Sequence, residues 1–221
     1  GRYGFRLLVV PETIGTIAWM ANNQAAVEAI DFAWFCEMVG HDESFILQKS
    51  RQEDSLIDRA FLAVLPSHRT RGDERTGAFR MVVASDEIVT NGPGYDIPTP
   101  SITRWPYDEY HTSDDNPDLI RPENLDEALQ VCLDVWSAMN ENYYARRTFK
   151  GPVMLSRYGL WVDWREDWDL NLKTEAIMLM LEGDKSVIDI AYELELQYKT
   201  VKKCLDRFVE AGLVERNDQA F

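Results

Sequence analysis

Histidine and cysteine are scarce in this chain, with three of each in 221 residues. Cys36, Cys132 and Cys204 stand far apart, which excludes a disulfide framework and a paired-cysteine zinc knuckle and fits a reducing, cytoplasmic setting. No apolar run reaches the length of a membrane span, and no charged-then-apolar leader is read at the start. Positive charge is short as well: 23 Lys and Arg against 38 Asp and Glu leave a net charge of −15. That balance argues against nucleic acid and against an anionic membrane surface as partners, because both need a basic contact face. H-E-x-x-H, G-x-S-x-G, the P-loop and G-x-G-x-x-G are all missing, so no ready-made catalytic or nucleotide signature is present.

What is present is enough apolar material for a core. At 45 % hydrophobic and 11 % aromatic residues, the chain can form one good-sized domain and a small appendage. It opens on Gly1 rather than methionine, and residues 5–10, F-R-L-L-V-V, read as a strand buried on both faces. The chain thus reads as one that starts inside a fold, with an upstream part missing. A helix is expected over 14–21, a strand over 31–36, an edge strand over 44–49, and a helix from Ser55 that stops at Pro66. Residues 79–84 look strand-like, Asn91-Gly92-Pro93-Gly94 is a turn, and 97–105 returns to the sheet. The clearest helix is 123–144, opened by Pro122, with Leu125, Leu129, Cys132, Trp136 and Met139 as its inner stripe. Alternating strands and helices of this kind predict an α/β domain over 1–150, a mixed sheet covered by helices.

Residues 151–168 form a tryptophan-rich connector carrying Trp161, Trp164 and Trp168. Beyond it, helices are expected over 172–181, 187–194 and 200–211, punctuated by Gly183 and Gly212, then a short strand over 213–216. That order predicts a small winged-helix domain over 151–221. Its third helix, in the recognition-helix position, carries Lys199, Lys202, Lys203 and Arg207, yet the segment holds nine basic against fourteen acidic residues. The charge favours protein contacts over DNA.

The candidate site gathers around Tyr107-Asp108-Glu109-Tyr110-His111-Thr112-Ser113-Asp114-Asp115, an imidazole flanked by carboxylates, a residue set that suits zinc. Glu12 and Glu37 each follow an expected strand, where ligands bind in open α/β sheets. Asp73 and Glu74 lie in a charged loop. His41 and His68 read as solvent-facing loop histidines, with a secondary ligand role left open for His41.

The order of several short segments resembles the zinc aminopeptidases with two co-catalytic ions, and more closely an aminopeptidase-like bacterial family with a C-terminal winged helix. The segments are V-V-P-E-T-I-G-T (9–16), C-E-M-V-G (36–40), D-S-L-I-D-R-A (54–60), R-G-D-E-R (71–75), G-Y-D-I-P-T-P-S-I-T-R (94–104) and D-E-Y-H-T-S-D-D (108–115). The resemblance implies Glu12 as metal ligand or general base, Glu37 and His111 as metal ligands, and Asp73 and Glu74 facing the substrate's α-ammonium. It implies a metal-dependent hydrolase that cleaves an N-terminal residue or related amide by metal-activated water. Only one glutamate stands at Pro11-Glu12, Glu37 replaces the usual aspartate, and residues 76–93 look inserted. The family's upstream histidine and bridging aspartate have no counterpart here, so one zinc ion is expected from this chain alone. A second requires ligands from a missing N-terminal part or a partner chain. The alternative is an inactive aminopeptidase-like scaffold or binding subunit that uses the winged helix for protein contacts.

Overall fold

The computed structural model describes residues 1–68 and 75–220. The chain divides into two compact units, one of Tyr3–Phe61 with His68–Asp134, the other of Gly1–Arg2, Leu62–Ser67 and Val135–Phe221. They are called the first and the C-terminal unit below.

The first unit begins with α1 (Ile14–Asn22) and α2 (Gln24–Val27). Gly15 sits in the opening turn of α1, where an added Cβ would meet the Val10 side chain at 2.5 Å, so only glycine allows the chain to double back there. Met20, Val27 and Ile97 form a small core under these helices. Then come β1 (Phe35–Cys36), β2 (Phe45–Gln48), α3 (Leu56–Val64), β3 (Arg75–Gly77), α4 (Glu87–Thr90), β4 (Ser101–Arg104) and the long α5 (Pro122–Glu141). The four strands make one sheet in the order β1-β4-β2-β3, parallel at both outer pairs and antiparallel between β2 and β4, where Leu47 faces Ile102. This is the mixed sheet with covering helices that the alternation of elements predicts.

All residues of β2 and β4 are buried. For Phe45, Ile46 and Leu47 the hydrophobic effect is reason enough. Arg104, 1 % exposed, needs a different one. Its guanidinium donates to Val39 O at 2.9 Å, to Glu43 O and to the Glu127 carboxylate, and lies 3.9 Å from the Phe45 ring centroid. Asp58, in the first turn of α3, accepts from the backbone N–H groups of Ser50 (2.7 Å) and Ser55 (3.0 Å) and from both hydroxyls. That explains why a buried carboxylate stands in D-S-L-I-D-R-A.

Several expectations need correction. Residues 5–10 form no strand: Phe5, Leu7 and Val9 are 61 %, 73 % and 84 % exposed, so apolar composition alone did not provide a ladder partner. The strand at 31–36 shrinks to Phe35–Cys36, and the expected edge strand is interior to the sheet. Residues 79–84 are irregular, while the strand of that region is β3. A 3₁₀ turn (Leu65–His68) carries the chain through Pro66. The buried face of α5 is Asn124, Ala128, Val131, Val135 and Ala138, with Met139; Leu125 and Leu129 are 44 % and 53 % exposed. Met139 is the member of the expected stripe that is buried; Ala128, Val131, Val135 and Ala138 beside it are smaller than the leucines and tryptophan expected, and a search for the bulkiest apolar residues misses them.

The C-terminal unit contains β5 (Tyr144–Arg147), α6 (Trp168–Leu179), β6 (Glu182–Ser186), α7 (Val187–Glu193), α8 (Tyr198–Glu210) and β7 (Val214–Asn217). β5 is the middle of a three-stranded antiparallel sheet, β6-β5-β7, so residues 144–147 pair with the C-terminal strands and belong to the C-terminal unit. A capping box opens α7: Ser186 Oγ accepts from Asp189 N–H, and the Asp189 carboxylate accepts from Ser186 N–H at 2.8 Å. α8 buries Tyr198, Val201, Cys204, Leu205 and Phe208 and ends at Gly212, whose φ of +70° lets Leu213 N–H return to Phe208 O at 2.9 Å. Gly183, expected as punctuation, lies inside β6. Trp161, Trp164 and Trp168 are 62 %, 52 % and 57 % exposed. Among the described residues no helix is long and apolar enough to cross a membrane.

Two substitutions test this packing. Arg104→Met leaves Glu127 beside a lost cation and should cost about 3–5 kcal/mol in urea unfolding. Ser186→Ala removes one half of the capping box and should cost about 1 kcal/mol.

Candidate active site

Glu12 ends the stretch that turns into α1, and Glu37 follows β1, its N–H still bonded to Ile102 O at 3.3 Å. The structure brings these two carboxylates into one electrostatic neighbourhood and adds two that the sequence reading missed, Asp86 and Glu87. Ser85 joins the pieces: its hydroxyl lies 3.2 Å from Glu12 Oε1 and 3.3 Å from Asp86 Oδ2. Asp86 in turn accepts from Thr13 N–H at 3.2 Å and from the Thr16 hydroxyl, which pins it to the start of α1.

Glu87 is fully buried and opens α4. It accepts from Gln48 Nε2 at 3.1 Å and from Ser85 N–H at 3.0 Å. The other end of the Gln48 amide accepts from Val82 and Val83 N–H, each at 3.0 Å. One side chain on β2 thus carries residues 82–87 across the sheet. Gln48 faces Ser101 in the register, and Ser101 and Thr103 alternate to the same face of β4. The hydroxyls of both are buried without a hydrogen-bond partner among the described residues, as is Glu37 Oε1.

Burial, and then the charges of Glu87, Glu12 and Asp86, push the Glu37 carboxyl up to about 7. Burial also raises Glu87, against the pull of its hydrogen bonds from Glu87 and Ser85 N–H and from Gln48. Carboxylates gathered this way repel one another, and relief comes from a proton or a cation. Perturbed acids in such a setting mark candidate functional sites.

His111 lies elsewhere in its loop. It has a φ of +61°, is exposed and stacks on Tyr110 at 3.9 Å between ring centroids, and Tyr110 packs edge-on against Trp105 at 4.6 Å. Among the described residues no three or more His, Cys, Asp or Glu side chains stand where they could hold a metal ion, so Glu12, Glu37 and His111 do not form a ligand triad here. The histidine that is built into the loop is His41: 7 % exposed, stacked on Tyr107 at 3.8 Å, with Nε2 3.4 Å from Asp115. It is not the solvent-facing residue expected. His68 is half-buried against Asp134 at 2.8 Å. Asp73 and Glu74 lie outside the described residues.

The signal for Asp86 and Glu87 was the polar run S-D-E directly after M-V-V-A. Reading residues 76–93 as an insertion concealed it. The segment supplies half of the carboxylate cluster.

A mixed α/β fold with four carboxylates gathered beside its sheet is thus the class of protein defined here. The fold is similar to a crystal structure described as a candidate peptidase from Clostridium acetobutylicum, with a TM-score of 0.78 and 23 % identity over 94 % of this chain and 47 % of that one. A second relative, also from Clostridium acetobutylicum, is described as a candidate polysaccharide biosynthesis protein with an aminopeptidase-like domain. It is 26 % identical over 220 residues, 97 % of this chain and 50 % of its own length. The chain therefore spans about half the length of the relatives it matches. Residues 1–142 match a family model described as a domain of unknown function, DUF4910, and the chain belongs to that family.

The raised Glu37 carboxyl has a consequence for stability. A folded-state pKa above the unfolded value of 4.5 favours the folded state fully below pH 4.5, and that contribution is lost as the pH rises through about 7. Unfolding free energy measured by urea titration should fall across this interval, and Glu37→Gln should flatten the fall and be the more stable protein at neutral pH.

Proposed function

We propose that this chain is the aminopeptidase-like portion of a peptidase-like hydrolase, acting at the amino end of a peptide or on a related amide. The observation that carries this reading is the gathering of Glu12, Asp86 and Glu87 about Glu37, one of whose oxygens is buried and without a hydrogen-bond partner among the described residues. Like charges so placed suit a bound cation, and a peptide's α-ammonium is one. Asp73 and Glu74 are retained as further carboxylates for that ammonium, on the resemblance alone.

Glu12 is the general base of the proposal. Its carboxylate, held by the Ser85 hydroxyl, takes the proton of the attacking water. Glu37 keeps its own proton up to about pH 7 and can return one to the leaving nitrogen. Zinc is the alternative to this acid–base pair: held by Glu12 and Glu37, which would then be occupied as donors, it would polarise a carbonyl and lower the pKa of a water. Glu12, Glu37 and His111 do not fit a three-ligand site in this structure, so the acid–base roles rest on the carboxylates themselves. A cytoplasmic setting and a contribution from a further segment or partner chain belong to the same proposal.

A second reading is a non-catalytic binding subunit. It is favoured by the C-terminal unit, which has an open groove of about 560 Å³ lined by Phe149, Val153, Trp161 and Met178 among others. The order β6, α7, α8, β7 supports a winged-helix-like module there. Two basic residues of its α8 are engaged: Lys202 lies 3.3 Å from Glu141 and 2.7 Å from Asp206, and Arg207 donates to Gly159 O. Protein contacts therefore suit it better than phosphates do.

Release of chromophore from amino-acid anilides tests the hydrolase. Glu12→Gln should lower turnover by about 10²–10⁴-fold while leaving the circular dichroism spectrum and melting midpoint unchanged. Unchanged turnover removes Glu12 from the chemistry. Metal analysis after purification without chelator separates the readings: near-stoichiometric zinc or manganese favours the hydrolase, and a metal-free chain without anilide turnover supports the binding subunit instead.

A further inference from the structure

Two of the three cysteines, 96 positions apart in sequence, meet in the first unit. Cys36 at the end of β1 and Cys132 on α5 have their sulfurs 3.7 Å apart, in contact but unbonded. A disulfide needs about 2.05 Å between sulfurs, so the gap to be closed is about 1.7 Å. Cys36 is exposed and Cys132 half-buried, whereas Cys204 is buried in the C-terminal unit with its thiol pushed up to about 11 by burial. The hydroxyl and carboxylate chemistry of the acidic cluster does not use these thiols.

We propose that Cys36 and Cys132 are a reversible redox site, closing to a disulfide that locks the end of β1 to α5. The reactants are the two thiols and a small-molecule disulfide. The hydrogen bond from Cys36 holds the Cys132 thiol below its ordinary range, so Cys132 is the first nucleophile. Its thiolate, having lost a proton to solvent, attacks one sulfur of the oxidant and breaks the oxidant's S–S bond. One small thiolate leaves and a mixed disulfide forms on Cys132. Cys36 then loses its proton and attacks Cys132 Sγ, forming the protein disulfide and expelling the second small thiolate. Two protein thiols lose two electrons, the oxidant gains them, and the two protons end on the released thiols.

The bond would tie the backbone immediately before Glu37 to the long helix. In a reducing compartment such a bridge is transient, as regulatory disulfides are.

Native chain is incubated with oxidised glutathione at graded ratios to the reduced form, alkylated and mapped by mass spectrometry. The expected product has lost two hydrogen atoms, yields one cross-linked peptide joining Cys36 to Cys132, and reverts with dithiothreitol, with Cys204 still a free thiol. The melting midpoint should be higher in the oxidised form and return on reduction. Cys36→Ser should stop at a glutathione adduct on Cys132. Separate adducts on the two native cysteines without a bridge, a bridge that includes Cys204, or two thiols unchanged under excess oxidant would each overturn the proposal.

Discussion

The side-chain amide of Gln48 lies at the centre of the first unit, fully buried on a central strand, and both of its polar ends are committed. Its oxygen holds the N–H groups of Val82 and Val83, and its nitrogen donates to Glu87. A buried amide left half-satisfied costs free energy comparable to a lost hydrogen bond, so this one dictates where residues 82–87 must run. Once they run there, Ser85 and Asp86 reach the start of α1, and Glu12 is drawn into the same neighbourhood as Glu37. The acidic cluster is thus a consequence of satisfying one amide on the sheet.

Two ionisable side chains in the same unit, Arg104 fully buried and Glu37 half-buried, show how differently a fold can treat such groups. Arg104 is surrounded by acceptors and an aromatic face, every contact serving to hold β4 against its surroundings. Glu37 has carboxylates for neighbours and an oxygen without a partner among the described residues. The first arrangement is what burying a charge requires. The second is destabilising by itself, and it persists because sheet and helix packing hold the backbone on either side. Sites that bind cations or move protons are places where such a cost is tolerated.

The C-terminal unit is organised by nearer contacts. A capping box starts α7, an αL glycine ends α8, and the sheet that joins them takes its middle strand from directly after α5. Membership of DUF4910 covers residues 1–142 and so includes the carboxylates of the cluster. Relatives that this chain matches are about twice its length.

Local signals determined the elements with strong caps and periodicity. Helices α1, α3, α5, α7 and α8 and the strand before the C-terminus lie close to where spacing, Pro122 and Gly212 put them. The class of fold was legible from the alternation of elements, and segment order singled out Glu12 and Glu37 as candidates. Three things were decided only by tertiary structure. The apolar run at 5–10 has no ladder, because a strand needs a partner and not merely a composition. The inner face of α5 combines Ala128, Val131, Val135 and Ala138 with Met139 rather than Leu125 and Leu129, since close packing selects shape over hydrophobicity. Asp86 and Glu87 join the site, and His111 remains stacked on Tyr110, because hydrogen bonds made across dozens of residues set those distances and no local pattern encodes them.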